Sequence, residues 1–167
     1  MPVLQLGTAQ LILKPGTDPS LPENFVGMLP ERAYRQIQLA LERGVRWFDS
    51  ALIYRSQPVL GNVIGEWFQS GKLTRNDVWI TSKIFHPDAT AVTFGISHMP
   101  DMHTLSEHEV SIRTREQFEK SLVELNMGYV DLMLLHWPSW KNQGTAAENR
   151  RRRIAAWKVL EELYKRG

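Results

Sequence analysis

The sequence predicts an α/β fold in which helices cover a parallel sheet. Strand-like and helix-like segments alternate four times along the 167 residues, and right-handed crossovers turn that order into a parallel sheet. The strand-like segments are short and nearly continuously apolar, which is typical of strands buried on both faces. We therefore expect all four strands to end at one common edge, where sheets of this kind bind their ligands.

The composition favours a protein that binds or converts a small molecule. The chain is 43% hydrophobic with six tryptophans, enough apolar surface for one domain over residues 1–167. Its 20 basic and 18 acidic side chains give a net charge of only +2, which argues against binding to nucleic acid or to an acidic membrane surface. Without cysteine there are no disulfides or thiolate sites, and no signal peptide or membrane span is indicated, so we expect a cytoplasmic protein.

The first strand covers Val3–Leu6 and runs into a Gly-Thr turn. The segment from 14 to 30 contains four prolines and two glycines, which predicts a loop. Pro30 suits the first turn of a helix, and Gly44 suits its end. The second strand follows at once and contains Val45, Trp47 and Phe48, with Asp49 directly after it.

A second helix begins at Ser56 and Pro58 and ends at Gly71. Its apolar stripe consists of Leu60, Val63, Ile64, Trp67 and Phe68. The third strand is predicted over Asp77–Ser82, whose β-branched and aromatic residues precede Lys83.

Residues 86–111 break this rhythm and predict a long loop, since structureless connections rarely exceed about a dozen residues. A third helix carries an apolar face of Phe118, Leu122 and Leu125, and a fourth strand covers Tyr129–Leu135 with His136 just beyond. Thr145 and Glu148 fit a capping box for a last helix. The predicted core face of that helix is Ile154, Trp157, Leu160 and Tyr164.

Asp49, Lys83 and His136 each follow a predicted strand end, and Tyr54 lies five residues after Asp49, past the end of the same strand. A phenol has an ordinary pKa of about 10, so an ammonium beside it would lower that pKa. Asp49 would keep Lys83 charged and oriented, and His136 would orient a carbonyl oxygen or pass a proton. This group suits protonation of a carbonyl oxygen while hydride reaches its carbon.

Each of these residues also has a purely structural interpretation. Asp49 would then be a turn or cap residue, Tyr54 a core residue, Lys83 a solvated cation and His136 a side chain that fixes a loop. The structural interpretation requires four independent coincidences at one sheet edge. The catalytic interpretation requires none.

Two further patterns are read as solvated surface. His98, His103 and His108 recur every five residues, a spacing that does not align ligands on a helix face, so no metal site is predicted. The basic run Arg150–Arg153 lies on polar faces of an amphipathic helix and predicts no nucleic-acid contact.

The segments FDSALIY, ITSK and DLMLLHWP, in this order and spacing, resemble the aldo-keto reductase family. The resemblance runs from VLQLGTAQL at the first strand to AAWKVLEELYKRG in the last helix. It implies a (β/α)8 barrel of TIM type and the reduction of aldehydes or ketones by NADPH, with Tyr54 as general acid. By this resemblance the catalytic tetrad is Asp49, Tyr54, Lys83 and His136. Thr8 and Asp49 match cofactor-binding positions, and Trp137 matches a residue of the substrate pocket.

A full barrel has eight strands and about 250 residues, so we expect only the first four βα units here, a truncated half barrel. The resemblance places most of the NADPH site in the half that is missing. The open edges of such a half barrel would favour self-association, for instance two copies closing one ring. The alternative function is that of a catalytically inactive remnant that binds another chain through its open edge.

Overall fold

Strands and helices alternate in the computed structural model, which describes residues 2–9, 30–85, 105–137 and 144–167. The elements are β1 (Gln5–Gly7), α1 (Pro30–Glu42), β2 (Trp47–Asp49), α2 (Gln57–Gln69), β3 (Trp79–Ile84), α3 (Glu107–Leu125), β4 (Leu132–Leu135) and α4 (Ala146–Arg166). The predicted alternation is confirmed. Of the predicted loop 14–30, residues 14–29 lie outside the described residues and Pro30 begins α1. α3 begins inside the segment 86–111 predicted as a loop, of which residues 86–104 also lie outside the described residues.

The strands form one sheet in the order β1-β2-β3-β4. β1 pairs with β2 in parallel, with Gln5 opposite Trp47, and β2 pairs with β3 in parallel, with Asp49 opposite Thr81. The backbone N–H of Asp131 donates to the carbonyl oxygen of Ile80 at 2.9 Å, where β4 begins beside β3. The strand order thus follows the chain, so each strand lies beside its neighbour in the sequence.

The two faces of the sheet differ in burial. Phe48 and Ile80 point to the helices and are fully buried, whereas Trp47 and Asp49, on the other face of β2, are only half-buried. β4 is half-buried along most of its length, and Leu134 is 37% exposed. In β1, Gln5 and Gly7 are exposed. The expectation that all strands are buried on both faces is therefore wrong for β1, β2 and β4. A continuous apolar run tells which residues can be buried but not whether the chain supplies a layer for each face.

Residues fall into two compact units, one within Met1–Lys83 and Lys120–Leu134 and the other within Ile84–Glu119 and Leu135–Gly167. The prediction of a single domain over 1–167 stays a prediction. In the first unit, α1 and α2 pack against the sheet through a cluster of buried side chains that includes Ile37, Leu41, Phe48, Leu60, Ile64, Ile80 and Leu125. Gly61 of α2 allows the close approach of Leu125, because a Cβ at position 61 would lie 2.3 Å from the Leu125 carbonyl oxygen.

The core of the second unit includes a cluster of Val110, Ala155 and Ala156, with Leu105 and Leu135 packed against it. Thr145 and Glu148 form the predicted capping box, in which the Thr145 hydroxyl accepts from the Glu148 N–H. The predicted core face of α4 is wrong apart from Leu160: Ile154, Trp157 and Tyr164 are exposed, and Ala155, Ala156 and Val159 are buried. The small residues face inward because they permit close packing, which hydrophobicity alone does not show.

The buried face of α3 is also different from the predicted one. Phe118 and Leu122 are only half-buried, whereas Thr114, Gln117 and Ser121 are buried together with Leu125. Each of these polar side chains has a hydrogen-bonding role: the Thr114 hydroxyl donates to the Val110 carbonyl at 2.7 Å, and the Gln117 Oε1 accepts from the Phe85 N–H at 2.8 Å. Polar residues are buried at little cost when such bonds are made.

Candidate active site

The carboxyl end of β2 carries two of the predicted site residues. Asp49 is the last residue of the strand, and a single 3₁₀ turn, Leu52–Tyr54, places the phenol of Tyr54 a few residues later. Ala51, Leu52 and Ile53 are buried, which fixes the turn against the core. Arg55 ends the turn in the left-handed region, with a φ of 55°, and α2 begins two residues later.

Lys83 and Asp49 form an ion pair at this edge. Lys83 lies inside β3 and not just beyond it as predicted, and it points to the same face of the sheet as Asp49. Its ammonium also donates to the Ser50 carbonyl oxygen at 2.9 Å, and the residue is only 9% exposed. A cation so deeply buried is stable only when its protons are given to acceptors, and these two oxygens supply that compensation.

Tyr54 lies next to this ion pair. The Lys83 ammonium is 4.8 Å from the centre of the Tyr54 ring, which brings three of the four predicted catalytic residues together. Burial, and secondly the negative charge of Asp49, raise the pKa of the Tyr54 phenol above its ordinary 10.0. The predicted lowering of that pKa is therefore wrong in this structure, because burial and the Asp49 charge outweigh the lysine charge, which is itself paired with Asp49.

Thr8 joins the same edge from β1. Its N–H and its hydroxyl both donate to the Asp49 carbonyl oxygen, at 2.8 and 2.9 Å. The Thr8 and Ser56 hydroxyl oxygens are 2.7 Å apart. Since the single hydroxyl proton of Thr8 goes to Asp49, Ser56 must donate to Thr8. Ser56, predicted to cap α2 with its side chain, makes no such cap, because its hydroxyl serves Thr8.

Gln57 lies in a buried polar network that the sequence pattern does not predict. The Gln57 Oε1 accepts from the Ser82 hydroxyl at 2.7 Å and lies 3.4 Å from that of Ser50, while its Nε2 donates to Glu124 at 3.1 Å. Gln57, Ser50 and Ser82 are all fully buried. The only signal in the sequence was that Ser50 and Ser82 are the direct neighbours of Asp49 and Lys83.

His136 and Trp137 belong to the second unit and follow β4. The His136 N–H donates to the Ile84 carbonyl oxygen at 2.9 Å, which fixes its backbone at the end of that strand. The imidazole stacks on the Trp137 ring, with centroids 3.9 Å apart and planes within 3°. Phe85 meets Trp137 edge-on at 5.6 Å, so the His136 ring is held by an aromatic stack.

The described ranges contain no group of three histidine or acidic side chains placed to hold a metal ion. Of the three evenly spaced histidines, His98 and His103 lie outside these ranges, and His108 is exposed on α3. Likewise, none of the helices in the described part of the chain is long and apolar enough to span a bilayer.

The sequence of this chain matches the family model of the Aldo/keto reductase family over residues 4–167. Relatives include the uncharacterised oxidoreductase YtbE of Bacillus subtilis, 32% identical over 131 residues that cover 78% of this chain and 36% of that protein. The glyoxal reductase of the same organism is 30% identical over 135 residues, which cover 81% of this chain and 37% of the relative.

Solved structures give the same result for the fold. A Bombyx mori aldo-keto reductase in complex with NADP matches with a TM-score of 0.65 at 18% identity, covering 99% of this chain and 43% of that one. An aldo-keto reductase complexed with NADPH matches with a TM-score of 0.61 at 22% identity, over 42% of its length. The four parallel strands and their helices thus correspond to half of a TIM-type barrel. The chain spans well under half of the proteins that it resembles, and from residue 4 to residue 167 it belongs to the aldo/keto reductase family.

Proposed function

We propose that this chain carries the catalytic side chains of an NADP(H)-dependent reductase that converts aldehydes or ketones to alcohols. The observation that carries the proposal is the grouping of Asp49, Lys83 and Tyr54, three titratable side chains from separate parts of the sequence that meet at the carboxyl edge of β2 and β3. Such an edge is where parallel α/β sheets bind their substrates. By their match to the family pattern, His136 is proposed as the fourth catalytic residue and Trp137 as a residue of the substrate pocket.

Tyr54 is the proposed proton donor. Its raised pKa keeps the phenol fully protonated at neutral pH, so the proton is in place before a carbonyl substrate arrives. The carbonyl oxygen becomes negative as the carbon is reduced and therefore becomes a stronger base, which draws the proton from the phenol. A bound reduced nicotinamide would supply the hydride to the carbon.

Lys83 stabilises the negative charge that remains on Tyr54 after this transfer. Its ammonium lies 4.8 Å from the ring centre, and a cation at that distance favours a phenolate over a phenol. Asp49 and the Ser50 carbonyl oxygen accept from the amine and hold it in this position. The charge is thus in place in advance, and little reorganisation is needed when the proton leaves.

The residues of this edge fit the nicotinamide end of such a cofactor. Asp49 gives one carboxylate oxygen to Lys83, and within the described ranges nothing donates to its second oxygen, although 22% of the side chain is exposed. That oxygen is available to accept a bond from a ribose hydroxyl. Thr8 holds the backbone of Asp49 through two hydrogen bonds. The adenine and phosphate contacts are proposed to lie in the part of the family fold that this chain does not span.

The test replaces Tyr54 with Phe in the protein as its gene encodes it. NADPH oxidation is followed with a panel of carbonyl compounds that includes glyoxal, which the name of one relative suggests. We expect loss of reduction with NADPH affinity retained, because only the hydroxyl is removed. Tyr164→Phe is the matched control, since Tyr164 is 88% exposed on α4. Unchanged turnover in Tyr54→Phe would remove Tyr54 from the acid role.

A second candidate function is a binding role without catalysis. β1 and β4 are the outer strands of the sheet, Val3 and Leu4 before β1 are 96% and 69% exposed, and Leu134 of β4 is 37% exposed. Open apolar strand edges attract further strands, including those of a second copy of the chain. Titration of tryptophan fluorescence with NADPH separates the two functions: saturable quenching supports the reductase, and its absence together with a dimer in sedimentation supports the binding role.

A further inference from the structure

We infer that Gln57 is a positioning residue that holds Lys83 and Asp49 in register from the opposite face of the sheet. Gln57 is the first residue of α2 and is fully buried. A buried primary amide needs partners for two donors and one acceptor, and a residue selected only for packing would avoid that requirement. The positions of its partners show what the amide connects.

The oxygen of the amide connects the ends of two strands. Oε1 accepts from the Ser82 hydroxyl at 2.7 Å and lies 3.4 Å from the Ser50 hydroxyl. Ser82 directly precedes Lys83 in β3, and Ser50 directly follows Asp49 in β2. Alternation along a strand places Ser82 on the helix side and Lys83 on the other side. One acceptor therefore fixes the backbone on either side of the ion pair.

Ser50 transmits this constraint to the amine. Its hydroxyl donates to the Thr81 carbonyl oxygen at 2.8 Å, and its N–H donates to the same oxygen at 2.8 Å. Its own carbonyl oxygen accepts from the Lys83 ammonium at 2.9 Å. The backbone of Ser50 is thus held on one side by β3 and presents its carbonyl to Lys83 on the other.

The nitrogen of the amide connects this edge to α3. Nε2 donates to the Glu124 carboxylate at 3.1 Å and lies 3.5 Å from the Ser121 hydroxyl. Because Glu124 is an acceptor when ionised, it also determines which end of the amide faces the strands. The last turns of α3 are therefore joined to the Asp49–Lys83 pair through a single side chain.

The test measures the accessibility of one amine. Gln57→Met keeps the length of the side chain and removes the amide, and Ser82→Ala removes the shortest bond to that amide. Labelling of lysines with acetic anhydride, read by peptide mass spectrometry, gives the rate at Lys83 relative to exposed Lys72 of the same unit. We expect at least a fivefold increase in this ratio for both variants, because the Ser50 carbonyl and β3 no longer hold the amine in place.

Gln38→Met is the matched control. Gln38 also bridges side chains with its amide, accepting from Trp67 at 2.8 Å and donating to Tyr34 at 3.1 Å, but it lies between α1 and α2, away from the ion pair. We expect a wild-type labelling ratio for this variant even if its stability falls. A wild-type ratio in Gln57→Met, or in Ser82→Ala should Gln57→Met fail to fold, would overturn the inference.

The catalytic consequence rests on the proposed reductase function. If the protein reduces carbonyl compounds, both site variants lower kcat at least tenfold while the Kd of NADPH changes less than twofold, since the positioning of Lys83 matters only when the phenol loses its proton. If the wild-type protein reduces none of the carbonyl panel, the proposed function fails, and the labelling ratio still decides whether Gln57 positions Lys83.

Discussion

The ammonium of Lys83 lies over the ring of Tyr54, 4.8 Å from the ring centre, and donates to Asp49 and to the Ser50 carbonyl oxygen. The surroundings of Tyr54 act differently on the protonated phenol and on the phenolate. The neutral phenol is the resting form, because burial and the Asp49 carboxylate oppose its ionisation. The lysine charge becomes useful only when the proton leaves, which is when a reductase needs it.

Alkaline titration provides a test of the Tyr54 environment. We expect the phenol that is lost from the ultraviolet difference titration of Tyr54→Phe to ionise above 10.0, its ordinary pKa. A raised pKa means that the contribution of Tyr54 to stability is complete below pH 10 and is lost as pH rises through the higher folded-state pKa. Activity should accordingly show no loss from Tyr54 ionisation between pH 6 and 9. Ionisation below 10 would show that Lys83 governs the phenol after all.

The ion pair is open to a double-mutant cycle. Asp49→Asn leaves the Lys83 charge with neutral acceptors only, the amide oxygen and the Ser50 carbonyl, and Lys83→Met leaves the carboxylate without its cation. Each single change is expected to lower the free energy of unfolding by about 2 to 3 kcal/mol, somewhat less than for a fully buried pair. The double variant should lose clearly less than the sum, by about 1 kcal/mol or more. Strict additivity in urea denaturation would mean that the two side chains do not interact.

Two glycines of α2 give a matched pair of substitutions. A Cβ at Gly61 would lie 2.3 Å from the Leu125 carbonyl oxygen, whereas nothing lies within 4 Å of a Cβ at Gly65. Gly61→Ala should therefore destabilise the protein by about 2 kcal/mol or more, since backbone has to move. Gly65→Ala should stabilise it by about 0.5 to 1 kcal/mol, because alanine favours a helix interior. Equal melting temperatures for the two variants would contradict the contact between α2 and Leu125.

The corrected orientation of α4 is tested on its own surface. Trp157 is 51% exposed and Leu160 only 8%, although the sequence pattern places both on one core face. Leu160→Ala should cost about 2 to 4 kcal/mol of unfolding free energy, the usual price for a truncated core leucine. Trp157→Gln should change it by less than about 0.5 kcal/mol. A larger loss of unfolding free energy for Trp157→Gln than for Leu160→Ala would support the core face of α4 that the sequence pattern predicts.

Much of the site follows from local chemistry that can be recognised in the sequence. Asp49 follows aromatic β residues, and Lys83 follows a β-branched run, so both lie at or near a strand end whatever the rest of the chain does. Thr145 and Glu148 form their capping box for the same reason, since the contact spans three residues and needs no distant partner. Contacts between residues that are close in the sequence can therefore be recognised without knowledge of the fold.

The tertiary structure alone decided what depends on distant partners. It placed Ala155 and Val159 in the core instead of Trp157 and Tyr164, because close packing between helices selects small side chains that a hydrophobicity pattern undervalues. It reversed the expected direction of the Tyr54 pKa shift, since burial and the pairing of Lys83 with Asp49 are properties of the folded chain. It also brought Gln57 to Ser50 and Ser82, and a hydrogen bond across 25 residues has no signature in the sequence around either partner.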